Sequence, residues 1–131
     1  MSTKQAMNHW HILVVEDEQD GREIASSLLD HFGITTDLAS TAEEALGLLG
    51  QKHYTVAVID LMLPGMDGLA LAHMIRSNSN TAYLPCVAVT AYHSSTIKKQ
   101  ASEAGYDGFY PKPLDYDGFI EELTRVCQLE R

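Results

Sequence analysis

The sequence predicts an α/β protein, a parallel sheet of five strands covered by helices on both faces. Three observations carry that expectation. Short apolar runs of strand length alternate five times with segments of helical periodicity. Several of these runs are apolar almost throughout, the pattern of strands buried on both sides. Four of them lead into residues that carry chemistry: Glu16-Asp17-Glu18, Asp60, Thr90 and Lys112. With right-handed crossovers and parallel strands, those four ends share the carboxyl edge of one sheet, the edge at which open α/β sheets bind ligands.

The elements follow in order. His11–Val15 is the first strand and runs into the acidic triplet; Ile24, Leu28, Leu29 and Phe32 then recur at helical spacing, with Gly33 as the stop. Ile34–Ala39, rich in β-branched residues, is the second strand. Thr41-Ala-Glu-Glu44 reads as a capping box, with Thr41 or Ser40 as the cap, and opens a helix through Ala45, Leu46, Leu48 and Leu49. Tyr54–Asp60 is the third strand, broken by the Pro64-Gly65 loop. Asp67-Gly68 opens a helix with Leu69, Leu71, Ala72, Met74 and Ile75, which ends in Ser77–Asn80. Leu84–Val89 is the fourth strand and runs into Thr90. A weakly patterned helix, Ser94–Ala104, is anchored by Ile97 and Ala101 and stopped by Gly105. Gly108–Tyr110 is a short fifth strand before Pro111-Lys112-Pro113. The last helix starts near Asp115 and turns Phe119, Ile120, Leu123, Val126 and Cys127 inward.

Bulk properties bound the function. A chain of 131 residues makes one domain and buries roughly two-thirds of its unfolded surface. The expected division is a flexible tail over residues 1–10 and one domain over 11–131. No apolar run approaches a membrane span of about 20 residues, and Met1–Trp10 lacks a hydrophobic signal core, so a cytoplasmic, non-membrane protein is expected. Cys86 and Cys127 lack metal or redox spacing and read as small core residues. The six histidines form no HxxxH pair, and only His9 and His11 stand at HxH spacing, which argues against zinc. A formal charge of −9 argues against direct nucleic-acid binding, because no basic face replaces phosphate counterions.

Taken together, Glu16-Asp17 after the first strand, Asp60 in VIDLMLPGMDG, Thr90 in VAVTA and Lys112 in YPKPL resemble the receiver domain of two-component response regulators, from about Trp10 to Leu129. The intervals between these residues are part of the match. The resemblance implies a flavodoxin-like (βα)5 fold with strand order 2-1-3-4-5. It implies that Asp60 is phosphorylated by a sensor histidine kinase or a histidine phosphotransfer protein, that a downstream effector protein or domain reads the result, and that a phosphorylation-dependent homodimer is available to the chain. It implies no enzyme acting on a separate substrate: the domain assists its own phosphorylation and dephosphorylation.

The residue types make chemical sense of this role. An aspartate that attacks phosphorus needs its charge and that of the phosphoryl group neutralised, and crowded carboxylates repel unless a cation sits among them. Mg²⁺, a hard ion with octahedral oxygen ligands, suits Glu16, Asp17, Asp60 and the backbone carbonyl of Met62. Lys112 offers a point charge to phosphoryl oxygens and pairs with Asp60 in the free state. By the resemblance, Lys112–Pro113 is a cis bond, Thr90 is the hydroxyl that binds the phosphoryl group, and Phe109 is the switch aromatic on the face formed by the fourth helix, fifth strand and fifth helix.

The chain also departs from the family pattern. The first acid is Glu16 where the family more often has Asp. Met62 and Tyr92, two residues past the acceptor and the hydroxyl, are unsuited to orienting an attacking water and are expected to tune dephosphorylation. The acidic last helix lacks the basic decoration of receivers that dimerise above a DNA-binding domain. Among other classes, a haloacid-dehalogenase-type phosphatase needs a second Asp where Met62 stands, and Glu16-Asp17-Glu18 would repel a flavodoxin's phosphate. A pseudo-receiver, an interaction module of the same fold that is not phosphorylated, would have lost Asp60, Lys112 or the acid pair; all are present.

Overall fold

A computed structural model describes residues 7–129. The elements alternate strictly: β1 His11–Val15, α1 Gln19–His31, β2 Thr35–Ala39, α2 Ala42–Leu49, β3 Val56–Asp60, α3 Gly68–Ser77, β4 Cys86–Thr90, α4 Ser95–Ala104, β5 Gly108–Pro111 and α5 Tyr116–Cys127. All paired strands are parallel, in the order β2-β1-β3-β4-β5. This is the predicted flavodoxin-like topology.

The period-two alternation of strands divides the core into two layers. Leu13, Val15, Ala57, Ile59 and Ala88 point to one face, where Ala45 of α2, Leu71 and Ile75 of α3 and Ala101 of α4 cover them. Ile12, Val14, Val58, Val87 and Val89 point to the other, under Leu28 and Leu29 of α1 and Phe119 and Leu123 of α5. Because β1, β3 and β4 are covered on both sides, their sequences are apolar almost throughout. β2 is different: it lies at the sheet's edge, Thr35 and Leu38 are exposed, and only Ala39 is buried.

Helix starts follow the local chemistry of the sequence. Thr41 accepts the Glu44 N–H at 3.1 Å, Asp67 that of Ala70 at 2.9 Å, Ser94 that of Ile97 at 3.1 Å and Asp115 that of Gly118 at 2.8 Å. Glu18, at the start of α1, makes no side-chain cap bond. Gly105 ends α4 at a φ of 115°, a left-handed conformation that favours glycine. Residues 1–6 of the expected tail lie outside the described residues. Met7 and Trp10 are buried in the α1–α5 layer, so the packed body takes in part of the segment expected to be flexible.

Candidate functional site

Parallel order brings the ends of β1, β3 and β4 together at one edge, with the residue just past β5 beside them. Among the described residues the polar or charged residues buried as a whole are Glu16, Asp60 and Thr90, and all three sit there. A polar group withdrawn from water costs free energy unless it is bonded, so three at one place need partners. Lys112 supplies the first: its ammonium donates to Asp60 Oδ2 at 2.7 Å and also to Glu16 Oε1. The Lys112–Pro113 peptide is cis.

Backbone amides hold the remaining oxygens. The Met62 N–H donates to Asp60 Oδ1 at 2.8 Å, the Glu18 N–H to Glu16 Oε2 at 3.1 Å and the Tyr92 N–H to Thr90 Oγ1 at 3.1 Å. The Met62 and Tyr92 side chains themselves are exposed at the rim. Asp17 is exposed beside Glu16, and the carboxylate oxygens of Glu16, Asp17 and Glu18 lie within 4.8 Å of one another. Arg22 steadies this turn: its Nη1 donates to the carbonyls of both Glu16 and Asp17 at 2.9 Å. Phe109 is half-buried against the α2–α4 layer, and its N–H donates to Glu122 at 3.0 Å.

The two buried carboxyls titrate in opposite directions. Burial, joined by the charge of Glu16, holds Asp60 above the usual aspartate range despite its bonds to Lys112 and the Met62 amide. Burial also pushes Glu16 upward, but its bonds to Lys112, the Glu18 amide and Asp60 outweigh that and leave it below the usual value. Lys112 is lowered by burial and raised more strongly by Asp60 and Glu16, so its net shift is upward. One cation thus stands between two carboxylates, with more acid alongside, and negative charge is in excess.

Glu16, Asp60, Thr90 and Lys112 therefore meet at the edge that their strand ends required, while Asp17 lies exposed beside Glu16, in the group with Glu18 rather than against Asp60. Sequence reasoning missed the second bond of Lys112 and the roles of Arg22 and the Glu18 amide. It also read Gly68 only as a helix opener. A Cβ there would lie 2.7 Å from Leu61 Cα and 2.9 Å from the Asp60 carbonyl oxygen, so glycine lets α3 start directly against the end of β3. A cavity of about 550 Å³ adjoins the site, lined by Glu16, Gly21, Ile24, Lys112 and Leu114 among others. A larger groove of about 950 Å³ lies at the opposite edge between α2 and α3; Lys52 and Tyr54 in its lining both bond Asp37, so a single carboxylate there is met by a cation and a phenol.

Residues 12–124 match the response regulator receiver domain family. An uncharacterized 14.6 kDa protein in the sodA1 3′ region of Leptolyngbya boryana is 31% identical over 123 residues, 94% of each chain. Response regulator MprA of Mycolicibacterium vanbaalenii is 34% identical over 117 residues; these cover 89% of this chain but only 50% of that protein. Among solved structures, chemotaxis protein CheY4 of Vibrio cholerae superposes with a TM-score of 0.85 at 25% identity, covering 89% of this chain and 98% of that one.

Proposed function

Because this chain belongs to the response regulator receiver domain family of two-component systems, we propose that Asp60 is its phosphoacceptor. The donor on this reading is the phosphohistidine of a sensor kinase or phosphotransfer protein. A carboxylate oxygen of Asp60 forms the new P–O bond as the P–N bond to the donor imidazole breaks. The observation that carries the reading is the placement of Lys112 Nζ, 2.7 Å from Asp60, at the mouth of a buried acid cluster. Protein contributes to phosphoryl transfer mainly by positioning and by neutralising charge. Lys112 supplies one positive charge for the phosphoryl oxygens, and Thr90 supplies a hydroxyl whose own oxygen is already oriented by the Tyr92 amide.

The donor set fits Mg²⁺. Glu16, Asp17 and Glu18 bring carboxylate oxygens within 4.8 Å of one another, and Lys112 links Glu16 to Asp60, so hard oxygen donors with charge to spare gather at this edge. Glu16, Asp17, Asp60 and the Met62 carbonyl are the residues assigned to hold it. When bound, the ion neutralises the acids and the incoming phosphoryl oxygens together. Phosphorylation then shifts a pre-existing equilibrium in which Thr90 moves toward the phosphoryl group and Phe109 turns inward, reshaping the α4–β5–α5 face for an effector. Residues 11–131 are assigned to this one domain.

The test is labelling by a small phosphodonor with Mg²⁺ present. Wild-type protein should acquire acid-labile, hydroxylamine-sensitive label, and Asp60→Asn should acquire none. Label that persists on the variant moves the acceptor elsewhere; absence of label on both proteins points to a pseudo-receiver.

A further inference from the structure

Gly21 stands in the first turn of α1, where a glycine has no conformational reason to be. It is not among the glycines with positive φ, and glycine is the poorest helix residue after proline. Its reason is steric. A Cβ at this position would lie 2.5 Å from Glu16 Oε1, 2.7 Å from Glu16 Cδ and 2.8 Å from Glu16 Cγ. All three nearest atoms belong to the outer half of one side chain. The Glu16 side chain thus lies over the bare face of α1 that Gly21 leaves open.

The surroundings decide what an added methyl would move. The Glu16 backbone is fixed on two sides: its N–H donates to the Ala39 carbonyl at 2.9 Å, and its own carbonyl accepts from Arg22 at 2.9 Å. The carboxylate is held only at its tip, by the Glu18 N–H and by Lys112. A methyl at position 21 therefore displaces the carboxylate and leaves the turn in place.

We propose that Gly21 is a positioning residue: it provides the seat that sets the Glu16 carboxylate between the Glu18 amide and Lys112, and through Glu16 it governs divalent-cation binding. The last step rests on the reading of Glu16 as a metal ligand. The seat also accounts for how the longer acid is fitted here, since its extra methylene is taken up over the helix.

The experiment is a double-mutant cycle of Gly21→Ala and Glu16→Ala, followed by three readouts. In metal-free protein, Gly21→Ala should shift the Glu18 amide proton upfield in NMR, because its acceptor has been moved. Titration with Mg²⁺ should show affinity about tenfold weaker for Gly21→Ala than for wild type, the scale seen when a ligand loses its supporting contacts. In the Glu16→Ala background the same substitution should leave Mg²⁺ affinity unchanged and should raise the melting temperature more than it does in wild type. An unshifted Glu18 amide, or equal melting shifts in the two backgrounds, overturns the seat. If Gly21→Ala alone does not fold, folding of the double variant supports the same steric conflict. A wild-type protein that fails to bind Mg²⁺ overturns the metal reading, and the amide and melting readouts then decide the seat by themselves.

Discussion

The two edges of the sheet bury a cation against carboxylate in contrasting ways. At the amino edge, Arg76 Nη2 donates to the Gly105 carbonyl at 2.7 Å and to Asp107 Oδ2 at 3.0 Å, while Nη1 donates to the Leu84 carbonyl at 2.6 Å. The Cys86 N–H adds a bond to the same Asp107 oxygen at 2.9 Å. One cation meets one carboxylate, and its spare donors fall on carbonyls at the ends of loops. At the carboxyl edge, Lys112 meets both Glu16 and Asp60, with Asp17 and Glu18 close by. The first cluster balances its charge and ties α3 to the starts of β4 and β5. The second is left with surplus negative charge that the fold does not neutralise. Burial and ion pairing alone therefore do not mark a site; the imbalance does.

Removing the cation at the balanced edge should have the larger effect on stability. Arg76→Ala removes the cation paired with Asp107, which keeps the Cys86 N–H, together with the guanidinium's bonds to backbone carbonyls, and should cost about 3–5 kcal/mol, the scale for breaking a buried pair. Urea unfolding measures the loss directly. Phosphorylation per folded molecule should be unaltered, since Arg76 touches no residue of the carboxyl edge. A stable Arg76→Ala protein, or a folded one that fails to take up label, would erase the proposed division of labour.

The contrast also explains what the sequence disclosed. Asp60, Thr90 and Lys112 were legible because each follows a short apolar run, and parallel topology turns such endings into neighbours. The helix starts at Thr41 or Ser40, Asp67, Ser94 and Asp115 were legible because capping is decided within four residues, and the structure puts the first cap at Thr41. Arg76 was not, because its partners are backbone carbonyls and one Asp from units 6 to 31 residues away, with no residue-type signature. The Lys112–Glu16 bond spans 96 residues and depends on side-chain reach, which alternation of apolar residues does not encode. Gly21 carried no signal in the sequence, because its reason is the Glu16 side chain that the fold lays over it.

A smaller effect of opposite sign is expected at the unbalanced edge. Asp60 is held above the usual aspartate range, by burial first and by Glu16 second, so the folded state binds its proton more tightly than the unfolded state does. Stability from this group is present at low pH and is lost as pH rises from the ordinary value near about 4 through the folded value. Asp60→Asn removes the ionised group while Lys112 keeps Glu16. Without metal at neutral pH the variant should be more stable than wild type, on the order of 1 kcal/mol, the common scale of single substitutions. Its advantage should shrink as pH falls through that window. Urea titrations at a series of pH values test this; a less stable variant at neutral pH would mean that Asp60 is not strained by its neighbours.

The smallest effect concerns access to the carboxyl edge. Met62 and Tyr92 place backbone amides on Asp60 and Thr90 but leave their side chains at the rim, 56% and 67% exposed. Loss of phosphate by hydrolysis needs a water in line with the bond from phosphorus to Asp60, and holding that water is a positioning task. A thioether cannot hydrogen-bond a water strongly, and the hydroxyl of a tyrosine this exposed is engaged by bulk solvent. The wild-type phosphoprotein should therefore decay slowly. Met62→Asn combined with Tyr92→Glu supplies a polar pair at the rim and should speed decay about 3–10-fold, a barrier change of about 0.7–1.4 kcal/mol. Decay is followed after the phosphodonor is removed, with Arg76→Ala as the control that should match wild type. Unchanged or slower decay in the double variant would show that water reaches the site by a path these two side chains do not guard.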